Sequence, residues 1–320
     1  MHYLTGSGPE TLREQFSIIG VVEHGCKGMI ISRLAGGLGN QMFQYAAGRA
    51  LADSLGTSLS LDLSSLRSRS KSMTARTYGL DGFHTNAELF DPAELLLSNL
   101  VTRFPSLVAR INGRHVLKES GIDYMPSFFG SSDETVLIGY WQSYKYFSNI
   151  AEKLFLDFQP RTSFCSENIV FAKLLVDNEH SVALHVRRGD YVGLPSASLF
   201  HGALSDTYYK DAIKLARKND SDLNVFVFSD DIEWCRTYFR GIVNVQFAPS
   251  PVNAQPWEDM TLMGLCRGNI IANSSYSWWS AWLGDMRYGG ENRLVIAPKR
   301  WFARQIFCAA DRFPVHWTLI

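Results

Sequence analysis

Short apolar runs recur along this chain, separated by helical stretches, and most of them end in polar or charged residues. The clearest are SVALHV (181–186), NVFVFS (224–229), NIIAN (269–273) and LVIA (294–297). MIISRL (29–34), TSLSLDL (57–63), TVLIGY (135–140) and residues 242–247 complete the set. Strands that are apolar on both faces need cover on both sides, which is the mark of parallel sheets between layers of helix. The pattern therefore predicts an α/β chain, with helices over 40–55, 206–218 and 257–267. Residues 67–77, rich in Ser, Arg and Lys, read as a loop, and a more helical region follows before residue 135. With 320 residues there is room for two domains. The expected division is an N-terminal extension over 1–28, a Rossmann-like domain over 29–160 and a second over 161–320, the boundary falling at Gln159-Pro160-Arg161.

In open parallel sheets, ligands bind beyond the carboxyl ends of the strands, so the residues after each run are where chemistry should be sought. After 181–186 comes RRGDYV. Arginine offers a planar fork of donors that fits phosphate oxygens and stays charged, so Arg187 and Arg188 together suit a diphosphate. The alternative is a strand-end ion pair with Asp190. After 29–34 comes AGGLGNQMF, where glycines at a helix start let backbone amides approach an anion. The third glycine of a dinucleotide fingerprint is replaced by Met42, yet Asp62 at the next strand end keeps a nicotinamide or flavin enzyme open. Asn40 and Gln41 are unusual there, because a phosphate loop does not need two amides. Asp230 and Asp231, after 224–229, can accept from a nucleoside or cap the next helix. Asp259 is either a helix-start charge or a carboxylate that reads a base, while Ser275 and Ser277 bracket a strand-to-helix turn suited to phosphate. Trp278, Trp279 and Trp282 read as core.

Composition removes several classes. Lys+Arg and Asp+Glu both number 31, so the basic excess of a general nucleic-acid binder is missing. Cys26, Cys165, Cys235, Cys266 and Cys308 are odd in number and dispersed, as expected of free thiols in a reducing compartment. No apolar run approaches the ~20 residues of a membrane span, and residues 16–22 lack the flank of a signal peptide. A cytoplasmic protein is the expectation. Asp220-Ser221-Asp222 has the form of a metal-binding Asp-x-Asp, but it precedes its strand and reads as a turn. The eight histidines show no metal-ligand spacing.

Six segments in order, MIISRLAGGLGNQMFQYAAGRALA (29–52), LIGYWQSYKYF (137–147), HVRRGDYV (185–192), FSDDIEWC (228–235), PSPVNAQPWEDM (249–260) and NSSYSWWSAWL (273–283), resemble bacterial alpha-1,2-fucosyltransferases of glycosyltransferase family 11. The resemblance implies a GT-B fold, two Rossmann-like domains facing a central cleft, with the acceptor on the side of 29–160 and GDP-fucose bound by 161–320. It implies inverting transfer of fucose to the 2-hydroxyl of a terminal β-galactose, on a lipopolysaccharide O-antigen repeat or lactose-like glycan, with no cofactor and no metal. The acceptor is expected to be lipid-linked at the inner membrane, with the enzyme peripheral to it. By position, Arg187 matches the family's arginine against the leaving phosphate, and His185 and Arg188 its neighbours. Asp259 matches the guanine-reading carboxylate, Asp230 one near the nucleoside, and Ser275 and Ser277 the turn that meets the nucleotide. Asn40, with Gln41 beside it, matches an asparagine near diphosphate and fucose, and Asp190 stands as the base or as the counter-ion of the arginines. An alpha-1,6 linkage, a nucleotide-cofactor oxidoreductase and a non-catalytic sugar-binding module are the competing readings.

Overall fold

The computed structural model describes residues 28–67, 76–90, 113–189, 202, 204–303 and 310–320. Most of the stretch read as an N-terminal extension, most of the Ser/Arg-rich loop, and Asp190, Cys26 and Cys308 lie outside them. Two parallel sheets form the frame. In chain order the strands of the first are β1 (Met29–Arg33), β2 (Ser58–Asp62), β3 (Glu88–Phe90), β4 (His115–Lys118) and β5 (Thr135–Ile138). Those of the second are β6 (Ser181–Val186), β7 (Asn224–Ser229), β8 (Val245–Phe247), β9 (Gly268–Ile270), β10 (Val295–Ala297) and β11 (Thr318–Leu319). Their spatial orders are β3-β2-β1-β5-β4 and β11-β10-β9-β6-β7-β8. The helices are α1 (Leu38–Leu55), α2 (Ser64–Arg67), α3 (Ala151–Asp157), α4 (Ser166–Asp177), α5 (Asp206–Asn219), α6 (Ile232–Tyr238), α7 (Glu258–Met263) and α8 (Ser275–Tyr288). This is the GT-B type of two-sheet α/β architecture that the strand pattern and the resemblance led us to expect. No helix among the described residues is long and apolar enough to cross a membrane.

The central strands fall where the apolar runs do, because both faces are covered: β6 is buried at every residue. The edges differ. The region read as helical before residue 135 contains β3 and β4, which are short and largely exposed, so no continuous apolar run marks them. β11 adds a two-residue edge beside β10 that was likewise not expected. β8 begins three residues later than the run 242–247, since Gly241 (φ 83°) and Asn244 (φ 52°) turn the chain in left-handed conformations first. Helix α7 ends at Met263 rather than near 267. The proposed boundary is strapped down: Arg161 N donates to Gly82 O (2.8 Å) and His84 N to Gln159 O (3.2 Å).

Strand order reverses in both sheets, between β1 and β5 in the first and between β6 and β9 in the second. Such switch points open a crevice at the carboxyl ends. The two crevices are brought together by α1, which follows β1, and α8, which follows β9. Phe43 of α1 lies 4.6 Å and 4.9 Å from the ring centroids of Trp278 and Trp279, and Phe147 stacks on Trp279 at 5.3 Å. Trp278 and Trp279 are fully buried and Trp282 nearly so. Rings of this size bury about 150–250 Å² each, on the order of 4–6 kcal/mol of transfer free energy before ordering costs. The indole Nε1 of Trp279 donates to Gly39 O (3.0 Å). A Cβ on Gly39 would sit 2.5 Å from the backbone C of Ser275 and N of Tyr276.

Gly39 is therefore glycine so that two helix starts can touch, and Gly37, with open space around its Cα, is not under that demand. Gly39→Ala should cost about 1–3 kcal/mol of overpacking and lower the thermal midpoint by several degrees, whereas Gly37→Ala should leave it within about a degree. Differential scanning calorimetry of the pair checks this.

Candidate active site

Asn40 occupies the meeting point of the two crevices. Its side-chain carbonyl accepts from Gln142 Nε2 (2.7 Å), just past β5, and from Ser275 Oγ (2.7 Å), at the start of α8. Both bonds converge on Oδ1, which fixes the amide's orientation and leaves Nδ2 with no partner among the described residues. Gly36, at φ 79°, clears the room that amide needs: a Cβ there would fall 2.5 Å from Asn40 Nδ2. Gln142 is itself held by Arg312, whose Nη1 donates to Gln142 Oε1. Gln44, buried on α1, ties the two strand ends together by accepting from Ala35 N (2.9 Å) and donating to Gly139 O (2.9 Å).

Across the junction, β6 delivers His185, Arg187 and Arg188. Arg187 Nη1 pairs with Asp230 Oδ2 at 2.8 Å, and the other oxygen of Asp230 accepts from Arg188 N at 2.9 Å. A Cβ on Gly189 would lie 2.7 Å from that carboxylate, so the glycine of the RRGD run admits Asp230. The Arg188 guanidinium lies 3.9 Å over the Trp234 ring and reaches Asp231 at 3.4 Å, while Asp231 caps α6 by accepting from Trp234 N (3.3 Å). His185 is buried, and that burial, with Arg187 nearby, pushes its imidazole down to about 4, so it is neutral at physiological pH.

Two adjacent carboxylates start α7 and differ sharply. Glu258 accepts from Gln255 N (2.8 Å), Asn168 Nδ2 (2.8 Å) and Cys165 N (3.0 Å), bonds that hold it below its usual range despite burial. Asp259 accepts nothing from the described residues, and desolvation, aided by Glu258, pushes it up to about 6. It is a half-buried carboxylate with open acceptor capacity beside Tyr276, whose own hydroxyl is engaged by Met260 N (2.9 Å) and Pro256 O (2.7 Å). No three His, Cys, Asp or Glu side chains converge on a metal-sized site among the described residues.

Residues 119–320 match the family model described as glycosyl transferase family 11. An alpha-1,2-colitosyltransferase of Escherichia coli is 36% identical over 305 residues, covering 91% of this chain and 99% of that protein. The O-antigen biosynthesis glycosyltransferase WbnK of Escherichia coli is 33% identical over 85% of this chain and 94% of its own length. The mouse galactoside 2-alpha-L-fucosyltransferase Sec1 is 28% identical over 82% and 67%. The chain belongs to glycosyl transferase family 11. Its activity is glycosyl transfer, and the junction just described is the candidate site for it.

Of the residues singled out in the sequence, the structure gathers Asn40 and Ser275 in one bond and Arg187, Arg188 and Asp230 in another cluster, with His185 two residues behind. Asp259 sits apart at the start of α7. Gln41 and Ser277 do not face the junction. Gln41 is fully buried, donating to Gly36 O (3.0 Å) and Thr77 O (2.8 Å) and accepting from Gly79 N (3.0 Å), so it locks the glycine turn. The Ser277 hydroxyl, also buried, bonds back to Ser274 O (3.3 Å) and Ala272 O (3.4 Å). Asp62, read as a ribose carboxylate in the oxidoreductase alternative, pairs with Arg33 (3.2 Å) and accepts from Ser64 N (2.8 Å). Asp190, read as base or counter-ion of the arginines, lies outside the described residues; among those described, Asp230 pairs with Arg187. Gln142, Arg312 and Gln44 were missed; Gln44's signal was a second glutamine three residues after Gln41 on the same helix.

Ser275→Ala removes one of the two bonds that aim Asn40 without opening the core. Misaim of a group at the reacting centre can cost about 10²-fold, so kcat/KM should fall by one to two orders while the thermal midpoint holds. Steady-state kinetics with parallel melts decide it.

Proposed function

We propose that the enzyme moves L-fucose from GDP-β-L-fucose to the 2-hydroxyl of a terminal β-galactose, with inversion and without a metal, on an O-antigen repeat that is lipid-linked at the inner membrane. The observation that carries the reading is that the crevice of one sheet ends in two arginines, Arg187 and Arg188, while the crevice of the other presents an oriented amide, Asn40. A departing diphosphate needs fixed positive charge where its negative charge develops, and preorganised donors of that kind remove several kcal/mol from a barrier. In this mechanism Arg187 turns from Asp230 to the β-phosphate, Arg188 stays flat on Trp234 beside the diphosphate, and Asn40 Nδ2 donates from the other side. The anomeric carbon–oxygen bond to the diphosphate breaks as the acceptor oxygen closes on the opposite face. The acceptor's proton leaves late, to solvent or to Asp190. Asp259 accepts from the guanine N–H groups, which supply the hydrogen bonds it lacks.

A second reading keeps the site and changes the sugar. The relative at 36% identity is named for colitose, which lacks the 3-hydroxyl of fucose, and the donor here is then the colitosyl counterpart. GDP release from GDP-fucose and from GDP-colitose, with lactose and EDTA present, followed by NMR of the product linkage, separates the two and also tests the alpha-1,6 alternative. No release from either donor overturns the proposal.

Arg187→Ala should reduce lactose-dependent GDP release by about 10²–10³-fold, in line with the loss of a principal oxyanion-stabilising donor, with the fold kept as judged by circular dichroism. The pH dependence follows from Asp259. Its carboxyl in the free enzyme is raised to about 6, above the ordinary value of 3.8. Below that pH it is protonated and cannot accept both guanine donors, so GDP affinity should be level above pH 6.5 and weaken by up to about tenfold per unit beneath 6. Titration calorimetry reads this, and Asp259→Asn should flatten the profile.

A further inference from the structure

Beside Asn40 the structure encloses a cavity of about 330 Å³, within the range of about 300–1,000 Å³ typical of small-molecule pockets. Its polar lining is Glu119, Gln142, Arg312 and Asn40, and its apolar lining includes Tyr140, Ile122 and Phe302. Strands β4 and β5 supply Glu119 and Tyr140 from their carboxyl ends; Arg312 arrives from the far end of the chain, in a one-turn helix over Ala310–Arg312. That helix is moored to the first sheet's side by Ser143 Oγ, which donates to Asp311 O, and by Lys145 paired with Asp311.

The cavity wall is held in a strained form. Trp141, fully buried, has φ 53°, a left-handed conformation that bulky residues rarely adopt. Glu119 clamps it there, its two oxygens accepting from Tyr140 N (2.7 Å) and Trp141 N (3.0 Å). Strain of this kind persists where the surroundings impose it, and it clusters at binding sites. The clamp turns Tyr140, 40% exposed, and Gln142 toward the same space. Each Glu119 oxygen keeps a second lone pair. Arg312 is 2% exposed, its Nε is buried with no partner, and only its Nη1 is bonded among the described residues. Burial raises the Glu119 carboxyl and pulls the Arg312 guanidinium down to about 9, still charged at neutral pH. One carboxylate and one guanidinium balance, so an uncharged ligand rich in hydroxyls fits where an anion or a cation would not.

We propose that this cavity binds the terminal sugar of the acceptor, a neutral hexopyranoside. Glu119 accepts from and Arg312 donates to its ring hydroxyls, with Tyr140 and Phe302 against its apolar face. This assignment rests on the proposed transfer only in supposing that an acceptor hydroxyl must reach Asn40.

The test uses lactose as probe on the full chain saturated with GDP. Saturation-transfer NMR should show lactose on the wild type, and Ile122→Trp, which fills the cavity, should lose that signal while GDP affinity by calorimetry and the thermal midpoint stay unchanged. In turnover, Glu119→Gln and Tyr140→Ala should each raise the lactose KM by about tenfold or more, the loss expected of a hydrogen bond to a charged group or of a sugar-stacking ring, with kcat changed far less. A purely structural Glu119 would lower stability and kcat without that split. No lactose signal on the wild type, or an equal signal in Ile122→Trp, overturns the subsite. Failure of GDP-fucose to bind or turn over counts instead against the donor reading, because the NMR measurement needs only GDP.

Discussion

The contact between the starts of α1 and α8 is the constraint on which the rest depends. Each sheet by itself makes a switch-point crevice, but neither crevice holds both the arginine pair and the oriented amide. Those come together only because Gly39 lets one helix start rest against the backbone at Ser275. Trp279 then closes the approach by donating to Gly39 O from within the aromatic core. The apolar cluster of Phe43, Phe147, Trp278 and Trp279 is thus both core and interface. It fixes the Asn40–Ser275 distance as tightly as any strand register fixes its own neighbours, since close-packed interiors yield little to small displacements.

Helical geometry also explains which sequence expectations succeeded. Neighbouring helical residues point about 100° apart, so of Asn40 and Gln41 only one can face the junction, and Gln41 is turned inward to hold the glycine turn. Ser275 and Ser277 are two apart, on nearly opposite sides, and Ser277 bonds back into its own helix. Strand ends were more legible. Arg187, Arg188 and Asp230 follow strands buried along their apolar stretch, and at such a boundary the change from apolar to charged residues is abrupt in sequence as well as in space. The edges β3, β4 and β11 carry no such boundary. The cavity lined by Glu119, Gln142 and Arg312 could not be read at all, because its members lie up to 193 positions apart and meet only through the returning C-terminal segment.

The glycine-rich turn shows how a motif can be right in place and different in cause. Glycines before a helix ordinarily admit a phosphate. Here Gly36 admits the Asn40 amide and Gly39 admits a second helix, and the turn is stabilised by the side chains of Gln41 and Gln44. The missing third glycine, at Met42, follows from that: the position is fully buried in the shared core and needs a large apolar side chain.

Under the proposed transfer, the arginine cluster has a consequence for catalysis. Among the described residues Arg187 pairs with Asp230 and Arg188 with Asp231, so each guanidinium already has a carboxylate beside it before a ligand arrives. The pair with Asp230 gives the half-buried Arg187 a counter-ion, and under the proposed transfer that carboxylate competes with the donor for the guanidinium. Such competition weakens ground-state binding more than it weakens the transition state, because the diphosphate oxygen gains charge as the glycosidic bond breaks and outbids the carboxylate most strongly at that moment. Binding energy withheld from the substrate and released at the barrier raises kcat rather than lowering KM. On this argument Asp230 is a tuning element of the clamp. Its removal would tighten the ground state and slow the chemistry, the reverse of what loss of a nucleoside contact would do.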